Sequence, residues 1–356
     1  MPSSPGARRR PSALAVLLAL FIVLAAGAPF YLSELQLFTA ARMVILALFA
    51  VSLNLLLGRT GLVSFAHAAY FGVGAYAVAL LSLHLELSPL LGVALALPVG
   101  AAFALVTGVV ALRAVRLYFA LLTLALSQLI YVIVFQWYDF TRGDNGIHGI
   151  EGPEFLDSVV WSYWTVFAIA AVGVAAIWLI GRSPFGAALE AIRENRQRAA
   201  FIGIDVKRYE LASFVVAGAF GALAGSLFAL FNREAYPNLL FWTANALPIF
   251  ICLIGGLRWL VAGPVVGAIA YVLLEEGVTR NTQYPDLILG AILLAIVLLA
   301  PGGLIDVGER LLDRVRRRRT SGPSPRLGEG VSAPGDAGGT LASDPEARPP
   351  RLEAPT

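Results

Sequence analysis

The chain has 356 residues, of which 58% are hydrophobic and only 14% charged, with a formal net charge of +3. Soluble domains carry about 25% charged residues, so a water-soluble globule is excluded, as is a disordered chain, which would be poor in apolar residues. One cysteine (Cys252) permits no internal disulfide, and with three histidines it makes no structural zinc set, so no metal site is expected. The composition, with a mean hydropathy of +0.77, is that of an all-α polytopic membrane protein.

A helix rising about 1.5 Å per residue needs about 20 apolar residues to cross a hydrocarbon layer about 30 Å thick. Charge-free runs lie at 11–33, 43–58, 60–85, 87–112, 117–138, 158–181, 211–232, 235–257, 259–274 and 287–305, which predicts ten spans. The run at 43–58 extends past Arg42, which can snorkel from a helix end. Residues 235–274 would form one helix of about 60 Å, so they break, and Gly255-Gly256 beside Arg258 is the place for it. His84, Glu86 and Ser88-Pro89 divide 60–112 in the same way. Eight spans with two re-entrant segments is the alternative count. Arg8, Arg9 and Arg10, an apolar run and Ala26-Gly27-Ala28 also resemble a secretory signal, against which the run continues through Phe30, Tyr31 and Leu32 as a first span.

Basic residues set the orientation. With the N-terminus in the cytoplasm, ten spans put Arg8–10, Arg59, Arg113, Arg116, Arg182, Arg193, Arg196, Arg198, Lys207, Arg208, Arg258, Arg310, Arg314 and Arg316–319 on one side. The other side holds Arg142, Arg233 and Arg280 beside Glu34, Glu86, Asp139, Asp144, Glu151, Glu154, Asp157 and Glu234. The high pI thus needs no nucleic acid. The predicted organisation is a basic cytoplasmic N-terminus (1–10), a membrane domain (11–305) containing a cytoplasmic loop (182–210), a basic juxtamembrane segment (306–320) and a disordered Pro/Gly/Ser/Ala-rich tail (321–356). Five spans and five would form an inverted repeat, with faint likeness between 72–81 and 267–276. Gly221/Gly225 and Gly263/Gly267 have helix-packing spacing. Pro98, Pro248 and Pro264 predict kinks or unwound turns.

The loop at 181–210 is the one sizeable polar element between spans on the basic side. Ser183-Pro184 sets up a helix start, 187–201 reads as a helix exposing Arg193, Glu194, Arg196 and Arg198, and Gly203 ends it. Ala188, Ile192 and Ala199 lie near its other face. Such an element can receive force from a docked partner or can be a solvated connector.

Ala191-Ile192-Arg193-Glu194-Asn195, then Arg198-Ala199, Gly203-Ile204-Asp205 and Lys207-Arg208, resemble the ATPase-contacting loop of permeases in branched-chain amino acid ABC importers, the LivM/LivH type. Three further blocks resemble that family. They are Asn54-Leu55 through Gly58, Gly61, Ser64, His67-Ala68, Gly72, Gly74 and Tyr76; the loop from Thr141 through Asn145 to Ile147; and Gly255-Gly256, Gly263-Pro264, Gly267-Ala268 with Ala300-Pro301-Gly302-Gly303-Leu304. Ala66 stands where many members have glycine, and Arg142 departs from their T-G-G.

The resemblance implies a type II ABC importer permease in a bacterial inner membrane. Its partners would be a second related permease, two cytoplasmic ATPase subunits and an extracytoplasmic solute-binding protein. It also implies an ATPase-coupling role for Glu190, Ala191, Arg193, Glu194, Asn195, Arg196, Arg198 and Gly203. No cofactor is expected in this chain. Its one lysine, Lys207, is followed by Arg208, so no G-x-x-x-x-G-K-S/T loop exists and ATP and Mg would be held by the partner subunits.

A zwitterionic solute needs an apolar route with a few polar groups. The intramembrane candidates are Asn54, Ser64, His67, Thr123, Ser127, Gln128 and Asn245. For His67 a buried, hydrogen-bonded imidazole competes with substrate contact, and for Ser and Thr a bond to the i−4 carbonyl competes. Asp144 and Asn145 would dock the binding protein or lie in a solvated loop. No catalytic residue is expected, since the spans lack the paired acids or metal set of a membrane enzyme. An ion-coupled carrier or channel would show an intramembrane ionisable pair. Permeases for urea, short amides or other amino acids share the family's motifs.

Overall fold

The computed structural model describes residues 25–114, 117–300 and 302–309, over which the chain is almost wholly helical. The first helix, α1, covers Glu34–Asn54 and runs on through a π-helical turn, Leu55–Thr60. It is followed by α2 (His67–Leu85), α3 (Pro89–Ala111), α4 (Leu117–Gln136) and α5 (Val159–Arg182). Two short helices, α6 (Pro184–Glu194) and α7 (Arg196–Phe201), lead into α8 (Val206–Asn232). Helices α9 (Ala246–Gly255), α10 (Ala262–Asn281) and α11 (Pro285–Leu299) complete the order. A two-residue ribbon pairs β1 (Ile147–His148) antiparallel with β2 (Glu234–Ala235).

Among the described residues seven helices are long and apolar enough to cross a bilayer, with an eighth if the pair Leu287–Leu299 and Gly303–Glu309, bent by 48°, counts as one span. The predicted ten are not all present in that form. The run at 11–33 lies largely outside the described residues, together with the choice between first span and signal. The run at 235–257 is no full span. It folds as the 3-10 turns Pro237–Leu240 and Trp242–Asn245 followed by the ten-residue α9. Pro237 opens the first of these turns, and Pro248 sits in the first turn of α9, where a missing N–H costs nothing. Pro264 likewise occupies the first turn of α10, so of the three predicted kink sites only Pro98 is inside a helix. The short run at 259–274 becomes full length because α10 continues past Glu275 and Glu276 to Asn281. Arg42 does not merely reach outward: it pairs with Glu275 at 2.8 Å.

Connectivity gives the bundle two ends. One, the loop end, holds the turn at 58–61, the segment 183–205 and the turn at 256–261. The other, the far end, holds Ser33, the turn at 86–88, the segment 137–158 and the ribbon. Among the described residues Arg59, Arg113, Arg182, Arg193, Arg196, Arg198, Lys207, Arg208 and Arg258 belong to the loop end. The N-terminal and C-terminal basic clusters, Arg116 and the tail 321–356 lie outside the described residues.

Helices α1, α2 and α8 form the packed centre, and close approach there depends on glycine. A Cβ on Gly74 would overlap the Ala222 carbonyl, and one on Gly225 would overlap the Phe71 carbonyl, so α2 and α8 touch backbone to backbone. Gly255, Gly263 and Gly267 join α9 and α10 in the same manner. Where lipid supplies no hydrophobic drive between helices, such contact is what dispersion forces can use. Helices α4 and α5 are different, since most of their apolar side chains, Leu121, Leu129, Val172 and Leu179 among them, face outward.

Candidate translocation core and coupling loop

Polar backbone at membrane depth must find partners within the protein. Residues 61–66 leave the left-handed Gly61 (φ 76°) without helical structure and climb into the bundle before α2 begins at His67. His67 bonds Ser52, eight residues from Thr60, so α2 starts about 12 Å in from the loop end. The ten residues of α9 span about 15 Å, which brings Asn245 to the same depth. The start of α2 and the start of the short α9 thus meet at similar depth inside the bundle.

Asn245 is the fastener there. It is fully buried, its Oδ1 accepts the Ala68 N–H at 2.8 Å, and its Nδ2 donates to Ser127 Oγ at 3.1 Å. Thr123 Oγ1 accepts the Phe65 N–H at 3.0 Å and donates to the Ala120 carbonyl. Ser64 Oγ accepts the Ala66 N–H. Four of the seven predicted pathway residues, Ser64, Thr123, Ser127 and Asn245, therefore gather around 64–68, tying the broken segment to α4 and α9. Gln128 is half-buried beside Ser127, with its Nε2 unpartnered.

The other two lie elsewhere. His67 turns toward α1 and α8. Ser52 gives its proton to the Phe49 carbonyl at 2.7 Å, so the 2.8 Å bond between Ser52 Oγ and His67 Nε2 requires the imidazole to donate from Nε2. The ring stacks on Phe49 at 5.1 Å and fits against Gly221, as a packed, hydrogen-bonded imidazole. Asn54 is at the loop end, where its Nδ2 donates to the carbonyls of Trp259 (3.0 Å) and Leu260 (3.1 Å).

The loop at 183–205 begins as the sequence predicts, with Pro184 as the first residue of α6. The predicted single helix over 187–201 is instead two, because Asn195 takes an extended conformation and its side chain caps α7 by accepting the Arg198 N–H at 2.9 Å. Gly203 (φ 92°) follows the end of α7. Leu189, Ile192 and Ala199 are buried beneath, while Glu190, Glu194, Asn195, Arg198 and Gly203 are exposed and Ala191 is half-buried. Arg193 is exposed as predicted and Arg196 half-buried, and both side chains also find partners in the chain. Arg193 donates to the Gly58 carbonyl, and its aliphatic stem lies beside Gly61. Arg196 pairs at 2.8 Å with Glu210, a carboxylate only 3% exposed. Glu190 pairs with Arg59.

Arg59 and Glu210 were not legible as partners, since nothing in the spacing of either points to an element 131 or 14 residues away. At the far end Asp144 and Asn145 are exposed, and Asn145 donates to the Tyr138 hydroxyl. A cavity of about 410 Å³ lies at this end between Ser82, Glu86, Ser88 and Glu151, some 15 residues, or about 22 Å, up α2 from His67. It is separate from the Asn245 cluster.

The family described as branched-chain amino acid transport system / permease component matches residues 35–297, from the first turn of α1 into α11. The chain belongs to that family. The permease is 25% identical to the high-affinity branched-chain amino acid transport system permease proteins LivM of Salmonella typhimurium and Escherichia coli, over 80% of this chain and 73% of each relative. It is 27% identical to the probable branched-chain amino acid transport permease protein LivH of Methanocaldococcus jannaschii, over 76% of this chain and 91% of that one. No solved structure matches it. The matched span holds both the Asn245 cluster and the 183–205 loop of this multi-pass membrane permease.

Proposed function

We propose that this permease is the membrane-spanning subunit of an ATP-driven importer for branched-chain amino acids, working by alternating access. The family match over 35–297 carries the reading, because it spans the whole described helical body with the loop inside it. The lack of a phosphate-binding G-x-x-x-x-G-K-S/T sequence supports the view that partner ATPases bind ATP and Mg. The segment 183–205 meets those ATPases on the cytoplasmic side of a bacterial inner membrane, consistent with the basic residues at its end. A second related permease completes the pathway, and a solute-binding protein docks at the far end near Asp144 and Asn145. The N-terminal and C-terminal stretches lie in the cytoplasm, and the plan we favour is ten crossings in an inverted five-helix repeat, with 235–257 crossing as turns followed by the short α9 rather than as a full helix.

The cluster of Asn245, Thr123, Ser127 and Ser64 lines the pathway. Its groups are short, neutral and polar, buried and bonded within the protein in this conformation; exposed as the helices rock, they would suit a zwitterion with an aliphatic side chain better than an ion.

Reconstitution of the assembled complex in proteoliposomes tests this. The expected result is ATP-dependent uptake of leucine, isoleucine or valine that needs the binding protein. Uptake of urea or a short amide in their place would assign the neighbouring specificity, and uptake without ATPase subunits would overturn the importer reading.

A further inference from the structure

Resting on the importer reading, we infer that the π turn Leu55–Thr60, with Asn54 as its positioning residue, is the joint that carries movement of α6 to the α9–α10 hairpin. A π turn makes i→i+5 bonds and interrupts the α-helical ladder, a rare feature found most often at functional sites. This one closes α1 where three elements converge on it. Arg193 and Glu190 of α6 hold it through the Gly58 carbonyl and Arg59, and Thr60 Oγ1 donates to Ser213 of α8 at 3.3 Å.

Asn54, the last residue of α1 before the turn, reaches the third element. Its two N–H bonds go to adjacent carbonyls, Trp259 and Leu260, in the turn between α9 and α10. Its Oδ1 has no hydrogen-bond partner and lies over Gly58, whose missing Cβ would overlap it and would come within 2.8 Å of the Leu257 carbonyl. A fully buried amide that leaves its acceptor unsatisfied carries a desolvation cost that an apolar side chain would not. Against that cost stand its two donated bonds, which leucine would remove. What asparagine adds is a fixed register between the end of α1 and residues 259–260.

The hairpin beyond can transmit that register. Gly255 and Gly267 bring α9 and α10 into backbone contact, so the two move as one piece. At its other end Asn245 holds Ala68 of α2 and Ser127 of α4. A displacement of α6 thus has an unbroken route through Gly58, Asn54 and the hairpin to the Asn245 cluster.

The test uses the complete importer in proteoliposomes, with Asn54→Leu in this chain and spin labels on Gln197→Cys and Thr243→Cys, both exposed, the native Cys252 being buried. In the unmodified joint, ATP with vanadate shifts the distance between the labels. In Asn54→Leu the expected result is ATP hydrolysis within twofold of the parent, solute moved per ATP reduced at least tenfold, and no shift in label distance. Unchanged solute per ATP, or a proportional fall in both activities with the label distance still shifting, overturns the inference. Should Asn54→Leu not assemble, Gly58→Ala displaces the same side chain and is read identically. A parent complex that hydrolyses ATP yet moves no solute removes the importer reading, and the joint with it.

Discussion

The two ends of the bundle are fastened in different ways. At the loop end three charged side chains of one short segment reach three different partners: Glu190 to Arg59, Arg193 to the Gly58 carbonyl, and Arg196 to Glu210. At the far end Arg233 pairs with Asp157 at 2.6 Å, His148 lies 3.3 Å from Glu234, and Arg280 pairs with Glu276 within α10. The acids there are 34–62% exposed; at the loop end Glu190 is 50% exposed, but Glu210 only 3%. Exposed pairs are screened and worth about 0–1 kcal/mol, whereas a desolvated carboxylate depends on its cation. The far-end pairs thus join loop to loop or sit within one helix, while Arg193 and Arg196 at the loop end tie the short segment to α1 and α8. Force applied to 183–205 has somewhere to go.

The largest effect should come from reversing that grip. Arg193→Glu with Arg196→Glu places carboxylates beside the Gly58 carbonyl and the buried Glu210. Uptake in proteoliposomes should fall about a hundredfold while the helical content measured by circular dichroism is kept, since like charges at a desolvated site cannot both be accommodated. Uptake at the parental rate would show that the grip is ornamental.

Glu210→Ala sharpens the comparison. It frees Arg196, which is 40% exposed and can turn to water, so the loss is about 1 kcal/mol of loop anchoring, or roughly fivefold in uptake. Proteolysis of the 183–205 segment should quicken in parallel.

Asp157→Ala, by contrast, removes a partner that is itself 62% exposed and leaves Arg233 bonded to the Leu156 carbonyl at 3.0 Å. Uptake should stay within twofold, with a fall in melting temperature of about 1–3 °C. Smallest of all, Arg280→Ala breaks a pair within α10 worth about 0.3–0.5 kcal/mol, and neither uptake nor melting should change measurably. A large loss from either variant would erase the distinction between the ends.

Much of this arrangement is legible in the sequence, and the gaps have physical reasons. Charge-free runs place α3, α4, α5 and α8 within a few residues, because a charge in hydrocarbon is costly enough to mark a boundary. Gly255-Gly256 marks a true break, with Gly256 at φ 112°. Residues 235–257 mislead because hydropathy does not distinguish a spanning helix from apolar backbone buried inside protein. The clue lies in Pro237 and Pro248, which each start a helical segment rather than bend one. The Asn245 cluster could be assembled only as a set of residue types. Its geometry depends on α9 ending at the depth where α2 begins, which no local pattern encodes. Arg193 is exposed as helix phase predicts, but its bond to the Gly58 carbonyl is invisible to phase; Arg196 comes out half-buried because Asn195 resets the phase ahead of it.

The most direct test concerns which side the grip faces. A single photoreactive group at Gln197, introduced into the assembled complex in intact cells, should cross-link to an ATPase subunit, and a membrane-impermeant thiol reagent should fail to reach Gln197→Cys from outside. Labelling from the exterior, with no cross-link to an ATPase, would contradict the account at its root.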